Sequence, residues 1–424
     1  MKTFLAILAG KSIFFLSRFL GLGGGFAAPG LYALKIDPNF INNLTSQIPK
    51  QIIITGTNGK TTTSGMLACL FKNSGVKVLR NKTGSNLERG IASTLIIHCS
   101  LLGSIREEVA VWEVDEAAFN SVVLKIQPEI VVILNVYRDQ LDRYGEVDSI
   151  VKKWLETVKK LPSSTKLLIN GDDGSLEGFY ALENEVEAFS VPETGLKGEL
   201  KPKKSRKVRF TGIDIKTSLT ESAFKFKFDN REIAVSLTIA GAYNVDNAVA
   251  ALAAKFLAKD LSASDAQSLK DFSSAFGRSE KFTFQEKEGY IFLIKNPAGA
   301  TQVMETVLPN LKPEDTLLLA LNDNFADGTD VSWIWDIELE RLKIKDLRLK
   351  IFVSGIRAYD MALRLKYAGV DEGRIIVDQD LKAAFGEAVK NRDGKLFILP
   401  TYTAMLELQK VLVNKGVKKH YWKE

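Results

Sequence analysis

A glycine-rich loop directly after an apolar segment constrains this chain more than any other feature of its sequence. A strand is predicted over residues 51–55, the loop reads Gly56-Thr-Asn-Gly-Lys-Thr-Thr-Thr63, and a helix is predicted over residues 61–73. Glycines let backbone N–H groups approach phosphate oxygens, and a helix N-terminus favours negative charge. Lys60 can reach the β- and γ-phosphates of a nucleotide, and Thr61 can ligate Mg²⁺. The loop therefore predicts a phosphate site; a plain glycine turn before a helix is the alternative.

Short β-branched runs alternate with helical stretches along most of the chain. In the first half, strands are predicted at residues 51–55, 76–80, 109–114, 130–135 and 166–170. In the second half, strands are predicted near residues 290–295, 316–322, 350–353, 374–377 and 395–399. Such alternation predicts an α/β fold with mostly parallel sheets covered by helices.

The region between these two series has a different pattern. Apolar and polar residues alternate over 207–210, 223–228 and 233–237, with Asp229-Asn230 as a turn. This pattern predicts an antiparallel β excursion from the sheet near residues 183–240, after which an alanine-rich helix over 242–258 returns the chain. The predicted domains are an N-terminal helical segment (1–45), a nucleotide-binding domain (46–276) and a C-terminal domain (277–424).

The first thirty residues are apolar enough to resemble a signal peptide. Lys11 and Arg18 interrupt the apolar run, which is also too short to span a bilayer. We expect an amphipathic helix and a glycine turn, Gly21 to Gly25, that either pack on the adjoining domain or touch a membrane.

Composition excludes several classes of protein. With 46% hydrophobic and 25% charged residues the chain is an ordinary folded one, and its net charge of +6 suits an anionic substrate or a membrane surface. We expect no nucleic-acid partner. The two cysteines, Cys69 and Cys99, cannot form a disulfide framework or a cysteine zinc site by themselves, so a reducing cytoplasm is the expected location.

Several motifs occur in the order found in one family. The loop at Gly56 resembles the ATP loop of the Mur ligases, and Glu113-Val-Asp-Glu116, Asn135-Val-Tyr-Arg-Asp-Gln-Leu-Asp142 and Gly241-Ala-Tyr-Asn-Val-Asp-Asn247 resemble their later motifs. Three further segments, which begin at Lys295, Leu321 and Leu399, are similar to the MurT branch only, the ligase subunits of lipid II isoglutaminyl synthases. The resemblance covers nearly the whole chain.

The resemblance implies a Mur-ligase central ATPase domain and a Rossmann-like C-terminal domain. It also implies that ATP and Mg²⁺ are used to activate the α-carboxylate of D-glutamate in the lipid II stem peptide for amidation. The residues expected to bind ATP by this resemblance are Gly56, Thr57, Asn58, Gly59, Lys60, Thr61, Thr62, Asn244 and Arg278.

Individual roles follow from the same resemblance. Glu113 is expected to bind Mg²⁺ together with Thr61, because this ion needs hard oxygen ligands. Asn244 is expected to face the adenine and Arg278 the phosphates. The alternatives are a helix-capping carboxylate for Glu113, a helix cap for Asn244 and a surface ion pair for Arg278.

The chain cannot make ammonia from glutamine by thiolate chemistry unless a cysteine meets a histidine base, and its histidines are only His98 and His420. Cys69 and Cys99 fit packing roles instead. The resemblance implies a GatD-like class I glutamine amidotransferase as partner, whose catalytic histidine is oriented by an aspartate of this chain. Asp330 is our choice for that catalytic aspartate; Asp327 and Asp336 lie in the same motif, and Asp330 could instead cap a helix predicted over 331–340.

Two departures from the family pattern matter. Gln140 and Tyr243 stand where other Mur ligases often carry histidines, which puts a second metal in doubt. The region of about 183–209, where MurT proteins typically carry a four-cysteine zinc ribbon, has no cysteine, so no zinc is expected. The basic residues there are either a solvated hairpin or a phosphate or membrane contact: Lys197, Lys201, Lys203, Lys204, Arg206, Lys207 and Arg209.

The sequence thus predicts an ATP-dependent ligase subunit in the cytoplasm, either free or at the inner face of the membrane. Lipid II and a soluble precursor both remain open as substrate. One rival is an amino-acid-adding Mur ligase or a folylpolyglutamate-type ligase, which would use an amine other than ammonia. The other is a nucleotide-binding subunit without catalytic activity.

Overall fold

The computed structural model describes residues 1–20, 27–81, 85–138, 147–194, 202, 208–273, 280–391 and 393–417. The α-helices are α1 Lys2–Phe19, α2 Ala28–Ile36, α3 Phe40–Thr45, α4 Lys60–Asn73, α5 Glu88–His98, α6 Glu116–Ile126, α7 Val147–Val158, α8 Ala242–Ala258, α9 Ala263–Gln267, α10 Pro297–Val307, α11 Ala358–Tyr367, α12 Leu381–Lys390 and α13 Tyr402–Asn414. The strands are β1 Lys50–Thr55, β2 Val78–Arg80, β3 Val109–Glu113, β4 Ile130–Ile133, β5 Lys166–Asn170, β6 Val186–Ser190, β7 Phe210–Thr217, β8 Ser222–Phe228, β9 Arg231–Leu237, β10 Glu280–Phe284, β11 Lys287–Ile291, β12 Thr316–Ala320, β13 Lys350–Ser354, β14 Ile375–Val377 and β15 Leu396–Pro400.

The first sheet has nine strands in the order β2-β3-β1-β4-β5-β6-β7-β8-β9. All neighbours from β2 to β7 are parallel, and β7, β8 and β9 are antiparallel to one another. The predicted α/β class is confirmed. The antiparallel strands were predicted to leave the sheet, but they extend it by three strands at one side. This is possible because β6, which was not predicted, pairs with both β5 and β7. Its sequence, Val186-Glu-Ala-Phe-Ser190, is too short for alternation to distinguish it from a loop.

Side chains of the central strand β1 point alternately into two hydrophobic layers, as the period of two of a strand requires. Ile53 packs with the layer that contains α5, α6 and α7. Ile52 and Ile54 pack with the opposite layer, which contains α4 and α8. Burial of β1 on both faces places its carboxyl end, where the phosphate loop begins, in the middle of the domain.

The second sheet, in the C-terminal domain, has the order β10-β11-β15-β12-β13-β14. Every neighbouring pair is parallel except β10 and β11, which form a hairpin at one edge. This agrees with the predicted Rossmann-like domain. The helix predicted over 331–340 is wrong: the chain forms only a short 3-10 helix, Ser332–Asp336, followed by turns.

The first three helices form part of the same hydrophobic layer as α5 and α6. Helix α2 approaches α5 so closely that a Cβ on Gly30 would lie 1.9 Å from the carbonyl oxygen of Arg89. The backbone N–H of Gly30 donates to Ser93 Oγ at 2.8 Å in this contact. Helix α1 confirms the predicted N-terminal helix, whereas Gly21 to Gly25 lie outside the described residues. Within the described part of the chain, no helix is long and apolar enough to cross a membrane.

Of the seven basic residues between Lys197 and Arg209, Arg209 is the one that the structure describes. Arg209 forms ion pairs with Glu187 at 2.6 Å and with Asp229 at 2.9 Å, and these contacts raise the pKa of its guanidinium. Arg209 therefore belongs to the sheet, directly before β7. The six other basic residues of that run lie outside the described residues.

We predict that Gly30→Ala destabilises the protein, because its Cβ would force α2 away from α5. Overpacking of this kind costs about 1–3 kcal/mol. The control is Gly386→Ala in α12, where nothing lies within 4 Å of the added Cβ. A helical alanine there should gain up to about 1 kcal/mol. Thermal melting of both variants checks this; equal shifts would mean that the N-terminal helices do not pack as described.

Candidate nucleotide site and its link to the C-terminal domain

The phosphate loop between β1 and α4 depends on two glycines in the left-handed region. Gly56 has a φ of 134° and Gly59 a φ of 87°. A Cβ on Gly59 would lie 2.1 Å from Asn247 Oδ1, and one on Gly56 would lie 2.9 Å from the carbonyl oxygen of Asn135. Both positions therefore need glycine for conformation and for space. Helix α4 begins at Lys60, directly after the second glycine.

Asn135, which follows β4, holds the loop in shape. Its Oδ1 accepts from the backbone N–H of Asn58 at 2.8 Å, and its Nδ2 donates to the carbonyl oxygen of Asn58 at 3.2 Å. The backbone N–H of Thr57 donates to the carbonyl oxygen of Asn135 at 3.0 Å. Thr57 Oγ1 in turn accepts from the backbone N–H of Tyr137 at 3.0 Å. These hydrogen bonds fix the shape of the loop.

Lys60 is buried, and its ammonium group donates hydrogen bonds to three oxygen atoms. Its Nζ donates to the carbonyl oxygens of Gly56 and Thr57 and forms an ion pair with Glu116 Oε2 at 2.7 Å. Burial alone would lower the pKa of Lys60, but the nearby carboxylates, with Glu116 the strongest, outweigh it and raise the pKa. The side chain therefore stays charged inside the protein.

Thr61 and Glu113 meet beside this lysine. Thr61 Oγ1 donates to Glu113 Oε1 at 2.9 Å, and Glu113 stands at the end of β3 opposite Ile54 of β1. The second carboxylate oxygen, Oε2, is buried and accepts no hydrogen bond from any residue that the structure describes. A buried carboxylate oxygen without a donor is rare, and hard oxygen ligands are what Mg²⁺ requires. The residues present fit a magnesium ion.

Glu113 does not cap a helix. The cap of α6 is Asp115, whose side chain accepts from the backbone N–H of Ala117. The backbone of Glu113 is held instead by Asn81, whose amide accepts from Glu113 N and donates to Glu113 O, both at 2.8 Å. The capping alternative for Glu113 is thereby removed, and its metal role stays a prediction.

Asn244 is connected to the loop through Asn247. Asn244 Nδ2 donates to the carbonyl oxygen of Ala240 at 2.6 Å, and its Oδ1 accepts from Asn247 Nδ2 at 3.2 Å. Asn247 Oδ1 accepts from Thr63 Oγ1 at 3.2 Å and covers Gly59. Asn244 is buried in this chain of hydrogen bonds, so its contact with adenine stays a prediction. Arg278 and the segment 139–142 lie outside the described residues.

The C-terminal domain reaches the phosphate loop through the motif that begins at Lys295. Asn58 and Asn296 exchange hydrogen bonds between their side-chain amides at 3.1 and 3.2 Å. Asn296 also caps α10 by accepting from the backbone N–H of Gly299 at 2.8 Å, and Lys295 Nζ lies 3.5 Å from the carbonyl oxygen of Thr57. The sequence alone indicates no role for Asn296, Asn135 or Asn247, because each acts through a partner that is distant along the chain.

Asp330 lies on an exposed loop after β12, in a different part of the C-terminal domain. Its Oδ1 accepts from the backbone N–H of Ser332 at 2.8 Å. Hydrogen bonds from Ser332, first from its side chain and then from its backbone, lower the pKa of Asp330. Of the two alternatives, Asp336 is exposed and Asp327 is buried. Both oxygens of Asp327 accept from Thr403, from its backbone N–H and its hydroxyl. Asp327 therefore has a structural task, which leaves Asp330 and Asp336 accessible.

Neither cysteine has the surroundings of a nucleophile. Burial is the main cause of the raised pKa of both Cys69 and Cys99, which opposes thiolate formation. Cys99 Sγ lies 3.6 Å from the carbonyl oxygen of Ile96, and His98 Nδ1 contacts Glu107 at 2.8 Å. The predicted packing roles are consistent with these contacts; His420 lies outside the described residues.

Comparison with known proteins identifies both halves of the chain. The Mur ligase middle domain matches residues 54–255, and the MurT ligase C-terminal domain matches residues 293–405. In structure, the chain is similar to MurF ligase from Thermotoga maritima in complex with ADP, with a TM-score of 0.68, 16% identity, and coverage of 90% of this chain and 85% of that one. At this identity the likeness concerns the fold.

Two sequence relatives are similar over nearly their full length. The MurT subunit of lipid II isoglutaminyl synthase from Streptococcus pneumoniae is 33% identical, with 98% of each chain covered. The corresponding subunit from Staphylococcus aureus is 30% identical, with 90% of this chain and 91% of that one covered. The chain belongs to the MurT family of Mur-ligase-like subunits.

Proposed function

We propose that this chain is the ATP-dependent ligase subunit of a lipid II isoglutaminyl synthase. The observation that carries the proposal is the buried pairing of Lys60 with Glu116 and of Thr61 with Glu113 at the phosphate loop. Full-length similarity to MurT subunits supports the choice of substrate class.

The proposed reaction has two steps. The γ-phosphoryl group of ATP is transferred to an oxygen of the α-carboxylate of D-glutamate in the lipid II stem peptide, which releases ADP and leaves an acyl phosphate. The nitrogen of ammonia then attacks the carbonyl carbon, the carbon–oxygen bond to phosphate breaks, and the nitrogen loses a proton. The products are D-isoglutamine in the stem peptide and inorganic phosphate.

The residues of the loop stabilise the charge that this transfer involves, since phosphoryl transfer depends mainly on positioning and electrostatics. Lys60 stays charged in a buried place, and its Nζ must exchange the oxygens of Glu116, Gly56 and Thr57 for phosphate oxygens. Glu113 and Thr61 would hold Mg²⁺, which supplies further positive charge when bound.

The C-terminal domain contributes Lys295 to the same loop. Its Nζ lies 3.5 Å from the carbonyl oxygen of Thr57, and the neighbouring Asn296 is bonded to Asn58. A second ammonium beside the loop fits an anionic substrate that must approach the γ-phosphate. We therefore place the reacting carboxylate between the two domains.

A separate glutaminase of the GatD type, a class I glutamine amidotransferase, is the proposed source of ammonia. Asp330 is proposed to orient the catalytic histidine of that partner, as the acidic member of a triad does. Exposed apolar side chains lie in the same loop and on the adjoining α11, where Trp335 meets Tyr367 at a ring distance of 5.5 Å. Exposed aromatic groups of this kind are typical of protein interfaces.

The helix α11 presents one apolar face to solvent. Tyr359, Leu363 and Tyr367 are exposed at intervals of four residues, which places them on one side of the helix. The loop with Asp330 is attached to this helix by Arg364, which donates to the carbonyl oxygens of Ile334 and Ile337 at 3.0 and 2.7 Å. This surface favours the amidotransferase subunit over an amino-acid-adding or folylpolyglutamate-type ligase, which needs no glutaminase.

We place the reaction in the cytoplasm at the inner face of the membrane, because ATP is cytoplasmic and lipid II is lipid-linked.

We predict that Lys60→Ala lowers ATP turnover by at least about a hundredfold, since it removes a fixed positive charge from the phosphates. It should also lower the melting temperature, because Glu116 would remain buried without its partner. The double variant Lys60→Met with Glu116→Gln should restore the melting temperature but not ATP turnover. Near-normal turnover in either variant would contradict the phosphate-loop assignment.

We predict that Glu113→Gln raises the Mg²⁺ concentration needed for half-maximal ATP turnover by at least about tenfold, because an anionic ligand becomes neutral. Its amide can still accept from Thr61, so the fold should persist. Glu185→Gln, an exposed change before β6, is the control. An unchanged Mg²⁺ dependence in Glu113→Gln would remove Glu113 from the metal site.

We predict that Asp330→Asn separates the two nitrogen sources. The asparagine can still accept from Ser332 but cannot sustain a positive charge on the partner's histidine, so glutamine-driven amidation should fall about a thousandfold or more. With free ammonium at a pH that leaves some ammonia, amidation should continue. Mass spectrometry of the product, in the presence of the partner, measures both rates.

Asp336→Asn is the matched control, since Asp336 is exposed in the same loop. If Asp330→Asn lowers both rates equally, Asp330 belongs to ligation or folding. If only Asp336→Asn lowers the glutamine-driven rate, Asp336 is the orienting residue.

A further inference from the structure

Helix α1 has its apolar side turned to solvent. Its buried residues are Ala6, Ile7 and Gly10. The helix packs closely on α5, because a Cβ on Gly10 would lie 2.5 Å from Ile96. The outward side carries large apolar groups, all at least 46% exposed: Phe4, Leu5, Leu8, Phe15, Leu16 and Phe19. We call these six residues the outer face of α1. An ordinary surface helix carries polar residues on its outward side instead.

The outer face is a continuous stripe. At 3.6 residues per turn, its six residues fall within about 120° of arc, and the helix is roughly 27 Å long. Ser12 is the one polar residue on that arc. Monomeric soluble proteins rarely leave contiguous apolar surface of this size uncovered.

Two further exposed apolar residues lie in a loop that contacts α1. Leu101 and Leu102, which follow α5, are 61% and 87% exposed. The next residue, Gly103, lies against α1, because a Cβ there would be 3.0 Å from Ile7 Cδ1. Exposed apolar residues near α1 are therefore not confined to the helix itself.

The charged residues of the segment that contains the outer face are all basic. The first 36 residues contain four basic residues, Lys2, Lys11, Arg18 and Lys35, and no acidic residue. On the helical arc, Lys11 and Arg18 border one side of the stripe and Lys2 the other. The first acidic residue, Asp37, is buried and accepts from Thr3 at 2.7 Å. An anionic surface would meet no carboxylate along this segment.

We propose that the outer face of α1, together with Leu101 and Leu102, binds an anionic lipid bilayer. The helix lies in the plane of the interface, with its aromatic and leucine side chains among the acyl chains and its basic residues at the headgroups. A second copy of this chain fits less well, because it would bring two sets of basic residues together. The inference deepens the proposed function, since it brings the subunit to the surface that carries a lipid-linked substrate.

Vesicle sedimentation of the full chain tests this proposal. The protein should bind phosphatidylcholine vesicles that contain phosphatidylglycerol, and should bind pure phosphatidylcholine vesicles much less. Phe15→Ser with Phe19→Ser should weaken binding to the anionic vesicles by roughly tenfold or more. Lys11→Gln with Arg18→Gln should reduce both this binding and its sensitivity to salt.

The matched control is Tyr359→Ser with Leu363→Ser on α11, which removes exposed apolar groups elsewhere and should leave vesicle binding unchanged. Equal binding by all variants, or no binding by the unaltered chain, would overturn the proposal. A dimer that dissociates in the Phe15 and Phe19 variant would assign the outer face to self-association and overturn it as well.

Vesicle binding is measured without ATP, so it is independent of the ligase chemistry. The Phe15 and Phe19 variant should amidate a lipid-free stem-peptide substrate at the normal rate but lipid II in vesicles more slowly. A chain that binds vesicles yet amidates neither substrate would contradict the proposed function and leave the bilayer contact intact.

Discussion

A positive charge held inside the protein at Lys60 is the constraint on which the site depends. An isolated ammonium would lose its proton or disrupt the fold at such a position, because burial disfavours the charged form. Glu116 and the loop carbonyl oxygens prevent this by binding the ammonium. Glu116 is the first residue of α6, and Glu113 is the last residue of β3. The strand order β3-β1-β4 therefore serves electrostatics as well as packing. It places the acidic groups that follow β3 on one side of the loop with Lys60, and Asn135, which follows β4, on the other side.

Close contact between α8 and the loop is the second requirement. Asn247 occupies the space that a side chain at Gly59 would need, and it bonds to both Thr63 and Asn244. The alanine-rich sequence of α8 lets the helix pack near α4, so that the amide reaches the loop. A neutral amide at this position fixes the glycine turn without competing with phosphate for Lys60.

The sequence was most informative where a local pattern coincides with a chemical need. The loop at Gly56, the parallel strands and the C-terminal domain were predicted because glycine, lysine and β-branched residues have strong local preferences. The roles of Asn135, Asn247 and Asn296 were not, since each depends on a partner distant in sequence. The helix predicted over 331–340 was wrong because Arg364 binds the carbonyl oxygens of Ile334 and Ile337, which stabilises turns that no local pattern reveals. The assignments of Arg278, Asn244 and Asp330 remain predictions.

The paired amides of Asn58 and Asn296 give the boundary between the domains a particular energetic character. Both groups are uncharged, and water can replace each of their hydrogen bonds at a net difference of only about 1 kcal/mol. Breaking this amide pair therefore leaves no unpaired ion and requires no change of protonation. The amide pair is therefore specific in shape but contributes little to the free energy that holds the two domains together.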